Sequence, residues 1–374
     1  MEKIRLAIDY QAATNLSVET THTFKAHDAR DLKFLRPNTV DLIVTSPPYP
    51  MIAMWDECFQ AMDESIDKEL IEGRPSVAFE RMHVQLDKVW DSCAVVLKPG
   101  GFICVNIGDA TRSTEKNGFS LFSNHARITK ALCDLGLVQL PDILWRKPSN
   151  APNKFMGSGM LPAGAYVTYE HEYILIFRKE GKREFNTAGE KRKRQESAFF
   201  WEERNVWFSD LWQNIKGTKQ TGKKIVLERD RSAAFPVEVP YRLINMYSLI
   251  GDLVLDPFAG TGTTSLAAMA SARNSIGTDI DKKAFGTFAS LLTDGIDGAN
   301  SRVITRLEAH SQFIAQREQE GKIVKHANEE LKQKVMTAQE VNLRLMTVEG
   351  THLNQSSVIA THRPLSANNV FRLT

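Results

Sequence analysis

The chain has 374 residues, 42% hydrophobic and 25% charged, with 47 Lys/Arg against 45 Asp/Glu. This is the balance of a globular protein, long enough for one large α/β domain with insertions or for two ordinary domains. No run of 18 apolar residues occurs and the opening MEKIRLAIDYQ lacks an apolar signal core, so neither a transmembrane helix nor a membrane partner is expected.

In chain order, residues 20–27 and 40–45 predict two short strands separated by a turn and a short helix. Residues 51–98 read as mostly helical, ending where the apolar WDSCAVVLKPGG runs into a Pro-Gly-Gly stop. GFICVNIGD, 101–109, predicts a buried strand closing on Gly-Asp, and a helix is expected over 120–135. The segments 137–148 and 172–179 read as strands around a Gly/Pro-rich loop at 149–165. Near residue 178 the composition shifts. Residues 178–194 carry eight Lys/Arg against three Glu, and Lys216–Arg231 carries six basic residues against two acidic ones. Between them lie Phe199, Phe200, Trp201, Trp207, Phe208 and Trp212. The α/β pattern resumes with a helix (239–250), a strand (DLVLDPF), a glycine turn, a helix (TTSLAAMASA) and a strand (NSIGTDID). Residues 301–346 read as largely helical, with a loose stripe of Val303, Leu307, Ile314, Val324, Leu331 and Val335. The last 28 residues show no clear pattern and are expected to be poorly ordered. The four cysteines (Cys58, Cys93, Cys104, Cys133) are scattered without a CxxC, which predicts reduced thiols, a cytoplasmic location and no metal site.

Strands alternating with helices predict a doubly wound, mostly parallel sheet. Such sheets bind ligands beyond the C-terminal ends of their strands, near a topological switch point, and three strand ends stand out there. In DLVLDPFAGTGTT an apolar strand ends at Asp256 and turns through Gly260 and Gly262, and Thr263 and Thr264 are placed to cap the next helix. No Lys follows Gly262, so the turn is not a Walker loop, and Ser265 replaces the third glycine of a dinucleotide fingerprint. An acid at its start suits a cationic ligand. Asp279 ends the next strand, about twenty residues on, where a carboxylate suits ribose hydroxyls; Asp281 is the rival. In the third, DLIVTSPPYP, Pro47 and Pro48 cannot continue a sheet ladder and force the preceding backbone to be extended. The result is a stiff edge offering the Ser46 hydroxyl, backbone carbonyls and the aromatic Tyr49, a set suited to a flat group bearing an amine.

These motifs resemble those of the amino-directed DNA methyltransferases that use S-adenosylmethionine. Asp256–Thr264 matches the family's DPFxGxGTT and Ser46–Tyr49 its (S/N/D)PPY. AHDARDL, GFICVNIGD, ILWRKPSN, HEYILIFRK and AAFPVEVPYRLI extend the likeness over residues 23–290, with Arg231 standing where many relatives carry His. The catalytic motif precedes the cofactor motif, which is similar to the circularly permuted beta group, whose target-recognition region lies between the two halves. The resemblance therefore implies a Rossmann-like methyltransferase domain in two pieces. A catalytic half would span 1–179 and a cofactor-binding half 233–295, with a target-recognition insertion at 180–232 and a C-terminal helical extension at 296–374.

By the same resemblance Ser46, Pro47, Pro48 and Tyr49 are catalytic. Asp28, Phe235, Asp256, Phe258, Gly260, Gly262, Thr263 and Asp279 bind S-adenosylmethionine, and Lys191, Arg192, Lys193 and Arg194 meet DNA. No general base is needed, so His27 and His171 are expected to be structural. Serine before Pro-Pro-Tyr favours the exocyclic N4 of cytosine, with adenine N6 the alternative. A nucleotide-binding oxidoreductase or a non-catalytic DNA-binding module fits the same residues less well. The implied partners are double-stranded DNA and, in a restriction-modification pair, a companion restriction endonuclease; monomer and dimer both stay open.

Overall fold

The computed structural model describes residues 17–114, 118–147, 156–157, 161–163, 165–167, 169–215 and 235–366. Eleven strands form one sheet: β1 (Val18–Ala26), β2 (Val40–Thr45), β3 (Leu97–Ile107), β4 (Val138–Gln139), β5 (Ile143–Arg146), β6 (His171–Arg178), β7 (Leu211–Trp212), β8 (Leu253–Asp256), β9 (Asn274–Asp279), β10 (Met346–Asn354) and β11 (Ser357–Pro364). The α-helices are α1 (Asp56–Met62), α2 (Ser65–Ile71), α3 (Pro75–Val96), α4 (Asn124–Asp134), α5 (Ala188–Glu196), α6 (Trp201–Trp207), α7 (Glu238–Tyr247), α8 (Thr263–Ala270), α9 (Ala284–Asp294) and α10 (Ile296–Gln319).

The strand order is β7-β5-β6-β3-β2-β8-β9-β1-β11-β10, with β4 beside β6. The five central strands β3, β2, β8, β9 and β1 are mutually parallel, and β6 and β11 run antiparallel on either side of them. Every residue of β2 is buried, as a parallel strand covered on both faces requires. Its period of two then sorts the layers. Leu42 and Val44 pack with Val239, Leu243 and Ile244 of α7 and Ala267 of α8. Ile43 faces the other way, into Met82, Leu86 and Trp90 of α3 and Ile128 and Leu132 of α4. The result is the expected doubly wound, Rossmann-like α/β fold. From β2 the chain proceeds to β3 on one side, and from β8 to β9 on the other. The switch point therefore lies between β2 and β8, and both strands end there in a singled-out motif.

Two expectations are corrected at the C-terminal end. The charged helix is real but stops at Gln319, and Gly321 follows with a φ of 74°. Leu331 and Val335 of the stripe are buried from a small hairpin, His326–Asn328 with Gln333–Val335, against Phe200, Leu343 and Leu345. The described part of the stretch that showed no pattern, up to 366, forms most of β10 and all of β11, and β11 pairs with the otherwise free side of β1 from Val18 to Thr23. In β11 Val358, Ala360, His362 and Pro364 are buried in alternation. The period of two is there, but a histidine and an alanine hold half of its inward positions. Buried polar pairing replaces apolar contact: Thr20 Oγ1 lies 2.7 Å from His362 Nε2 and 2.9 Å from His22 Nε2, and His22 Nδ1 lies 2.9 Å from Ser275 Oγ.

Residues 180–215, between the two expected halves, pack in part against the N-terminal ends of β3 and β8. Lys179 carbonyl accepts from Gly100 N–H at 2.7 Å, and a Cβ at Gly100, where φ is 76°, would meet the Arg183 backbone nitrogen at 2.5 Å. Arg183 Nη1 and Lys193 Nζ lie 2.6 and 3.2 Å from the buried Asp252 carboxylate, immediately before β8. Among the described residues no helix is long and apolar enough to cross a membrane.

Candidate active site

The C-terminal edge of the parallel strands collects Ser46 after β2, Gly108 and Asp109 after β3, Asp256 at the end of β8, Asp279 at the end of β9, and His27 and Asp28 after β1. Beyond the pairing of β2 with β8, a side-chain hydrogen bond joins the two halves of the site. Thr45 Oγ1, at the last position of β2, donates to Asp256 Oδ1 at 2.7 Å. The Ser-Pro-Pro-Tyr edge and the glycine turn are therefore set against each other by buried polar groups.

Ser46 is half-buried, and Pro47 and Pro48 are buried. Asn124 Nδ2 at the start of α4 donates to the carbonyls of Pro50 and Gly108, at 3.1 and 3.0 Å, which fixes the far end of the proline segment. Met51 there adopts a φ of 67°, a left-handed conformation uncommon for a side-chain-bearing residue. Tyr49 is held by its hydroxyl. Asn106 Nδ2 donates to it at 2.9 Å, it donates to Glu172 Oε2 at 3.1 Å, and Ser46 Oγ lies 3.2 Å away. A Cβ at Gly108 would come within 3.1 Å of the Tyr49 ring, so glycine there lets the ring pack onto the end of β3. Burial, and then the Glu172 charge, push the Tyr49 phenol well above its usual range, so it stays a donor.

Asn106 of β3 and Glu172 of β6 were not identified as site residues from the sequence. Both sit in segments that resemble family motifs, GFICVNIGD and HEYILIFRK, but only the antiparallel pairing of β3 with β6 brings them together. Their contact is Nδ2 to Oε2 at 2.7 Å, and Lys147 Nζ pairs with Glu172 Oε1 at 3.0 Å. His171 lies in an aromatic row, 4.6 Å from the Tyr169 ring and 5.0 Å from that of Tyr173. His27 is spent on structure, with Nε2 2.6 Å from the Asp31 carbonyl and its ring edge-on to Phe34.

On the cofactor side, Asp256 is buried and gathers three donors: Thr45 and Thr264 hydroxyls and the Phe258 N–H, at 2.7, 2.6 and 3.0 Å. Burial still pushes its carboxyl up to about 6; the donors oppose that and the nearby Asp279 charge adds to it. The expected threonine caps are corrected. Gly262 is the N-cap of α8 and no side chain caps the helix, because Thr264 turns its hydroxyl to the buried carboxylate instead. The two glycines serve different ends. At Gly262, φ 97°, a Cβ would meet the Phe288 ring at 2.5 Å, so packing demands glycine. At Gly260, φ 52°, nothing lies within 4 Å of a Cβ, and the backbone is open to a ligand. Asp279 Oδ2 accepts from Gly260 N–H at 3.0 Å and Oδ1 from Asp281 N–H at 2.9 Å, so it bridges the turn and the end of β9. Thr263 opens α8 half-buried. Phe258 packs edge-on to Trp90, and Phe235 is buried in the layer of α7 and α8. Asp28 stands beside Asp279 through the His27 N–H to Asp279 carbonyl bond, but Arg30 forks its carboxylate, with Nε and Nη2 at 2.9 and 2.6 Å from Oδ2. An amine reaching Asp28 must share it with that guanidinium.

The basic quartet is not brought to this edge. Lys191, Arg192, Lys193 and Arg194 lie on α5, beside Asp252 at the N-terminal end of β8, with the sheet's length between them and Ser46. Lys193 pairs with Asp252, Arg192 with Glu196 at 2.9 Å, and Arg194 lies over the Phe185 ring at 4.7 Å. The structure thus places the quartet at the opposite end of the sheet from Ser46. The second basic segment, Lys216–Arg231, lies outside the described residues.

Two carboxylates flanking an open glycine turn suit a ligand with a cationic end and hydroxyls, and the acceptor edge beside it suits an amine. A family model described as DNA methylase matches residues 40–289. The Type II methyltransferase M.MthZI of Methanothermobacter thermautotrophicus is 47% identical over 300 residues, 80% of this chain and 84% of its own length. M.MjaI of Methanocaldococcus jannaschii, also a Type II methyltransferase, is 49% identical over 280 residues, 72% of this chain and 90% of its own length. The structure of TTHA0409 from Thermus thermophilus, complexed with S-adenosyl-L-methionine, superposes with a TM-score of 0.57 at 28% identity, covering 73% of this chain and 93% of that one.

Proposed function

The chain belongs to the DNA methylase family, and from that premise we propose that it methylates the exocyclic N4 of cytosine at a specific site in double-stranded DNA, as the modification half of a restriction-modification pair. The observation that carries the reading is the Thr45–Asp256 bond, which sets the acceptor edge of Ser46 against the glycine turn. Its cofactor is S-adenosylmethionine, which when bound supplies an already activated methyl group. The residues present fit it: Asp279 suits its ribose, the bare backbone at Gly260 its close approach, and the ionised Asp256 carboxylate its cationic end.

The difficulty lies with the amine, whose lone pair is delocalised into the base. Ser46 Oγ and the Pro47 carbonyl accept its two N–H bonds, which favours a pyramidal nitrogen with its lone pair directed at the cofactor. The excess proton on the methylated nitrogen leaves to solvent afterwards, so no group need take up a proton in advance. The base must first leave the duplex, at a few kcal/mol, and stacking on Tyr49 returns about 1–3 kcal/mol. Because three partners hold the Tyr49 hydroxyl, its ring is fixed before the base arrives. Cytosine is preferred over adenine because serine precedes Pro-Pro-Tyr.

Nucleosides from DNA of a methylation-free host expressing the protein test the reading. N4-methylcytosine is expected, N6-methyladenine would move the target to adenine, and neither would overturn it. Ser46→Ala should lower the rate by about 10²–10³ while both ligands still bind; turnover at the wild-type rate would remove Ser46 from the chemistry.

A further inference from the structure

We propose that Glu172 is a positioning residue that, acting through Tyr49, turns the hydroxyl hydrogen of Ser46 inward, so that Ser46 meets its target only as an acceptor. This rests on the role given to Ser46 above.

The hydrogens around one oxygen fix the direction. Tyr49 Oη has one hydrogen to give and two lone pairs. Glu172, ion-paired to Lys147 at 3.0 Å, can only accept, so at 3.1 Å it takes the Tyr49 hydrogen. Asn106 is oriented by the same carboxylate. Its amide must turn NH2, not the carbonyl, toward Oε2 at 2.7 Å, and the second amide hydrogen reaches Tyr49 Oη at 2.9 Å. The remaining contact of Tyr49 is with Ser46 Oγ at 3.2 Å. The phenol hydrogen is already spent, so this contact exists only with Ser46 donating. Ser46 thus has its single hydrogen held toward Tyr49 and both lone pairs free for an incoming group.

The consequence is specificity by chemical class. A base edge presenting an NH2, such as cytosine N4 or adenine N6, finds an acceptor. An edge presenting a carbonyl, such as thymine O4 or guanine O6, finds acceptor against acceptor. Without Glu172 the Tyr49 hydrogen is free to turn to Ser46, whose own hydrogen then points outward against the amine.

Single-turnover methylation rates test this, with cofactor affinity and the KM for DNA measured alongside. Glu172→Gln loses the Lys147 ion pair but keeps an oxygen for the Tyr49 hydrogen, and is expected to stay within a few-fold of wild type. Glu172→Leu should slow the chemical step on the order of 10- to 100-fold, with KM and cofactor affinity changed by less than about threefold. Tyr49→Phe keeps the ring, frees the Ser46 hydrogen and should slow the step similarly. The Tyr49→Phe, Glu172→Leu double variant should be no slower than Tyr49→Phe alone. The proposal is overturned if Glu172→Leu keeps the wild-type rate, if Glu172→Gln is as slow as Glu172→Leu, or if the two losses multiply. Should Glu172→Leu not fold, Tyr49→Phe and Glu172→Gln decide by themselves: a slow Phe variant beside a fast Gln variant supports the proposal, and any other pairing sinks it. Wild-type turnover by Ser46→Ala is a different outcome, and overturns the reading of Ser46 beneath it.

Discussion

Asp256→Asn should make the protein more stable near neutral pH and a poorer binder of S-adenosylmethionine. Burial pushes the folded carboxyl up to about 6 from its usual 3.8. That difference is worth ~3 kcal/mol. The sign follows from the direction. A carboxyl whose folded value is raised contributes stability below about pH 4 and loses it as pH rises through about 6, so the ionised group is a net cost at neutral pH. Asparagine carries no charge to desolvate. Its Nδ2 obliges the Thr45 or Thr264 hydroxyl to rotate, which returns about 1 kcal/mol of the gain and leaves ~2 kcal/mol. Urea denaturation of the unliganded protein should show this margin at about pH 7.5 and its disappearance by about pH 4.5. The same change removes the charge proposed to face the cationic end of the cofactor, so calorimetry at neutral pH should show affinity weaker by at least about tenfold. Wild-type affinity should fall as pH drops through about 6, and that of Asp256→Asn should not. A variant equally destabilised at every pH, with unchanged cofactor affinity, would refute the reasoning and leave Asp256 as an anchor for two threonines.

Asp279→Ala should weaken S-adenosylmethionine binding by on the order of 1–3 kcal/mol in calorimetry; unchanged affinity would move the ribose contact to Asp281. Lys191→Ala with Arg194→Ala should leave DNA affinity and its salt dependence unchanged in fluorescence anisotropy, because α5 lies at the far end of the sheet; a loss above about tenfold would return that helix to the DNA. Burial lowers His22 to about 3 and His362 to about 4. The stability they contribute is therefore present above about pH 6.5 and lost as pH falls toward about 4, at ~1–2 kcal/mol each near pH 5. His362→Gln should flatten that limb in urea titrations between about pH 5 and 7, and an unchanged slope would mean that the pair is not the cause.

Much of the central sheet could be read from the sequence because its signals are local. The buried run of β2 and the glycine turn after β8 each carry their pattern within about ten residues, as does the acid ending β9. Two prolines at the end of a strand cannot be anything but an exit from the sheet. Tail strands were harder to see: β11 fills half of its inward positions with Ala360 and His362, and its alternation fades into the background of a polar tail.

The sequence by itself therefore determined the fold class and the strand ends that hold Ser46, Asp256 and Asp279, since side-chain direction and chain reversal follow from neighbouring residues. Tertiary structure decided what lies beside what. A run of four basic residues looks the same at either end of a sheet, and only the ion pair of Lys193 with Asp252 places it away from Ser46. Asn106 and Glu172 read as ordinary strand residues until β6 pairs antiparallel with β3 and closes them around the Tyr49 hydroxyl. Strand order and register are set by crossovers and packed helices many residues apart, so a contact made across strands leaves no trace in the local pattern of either one.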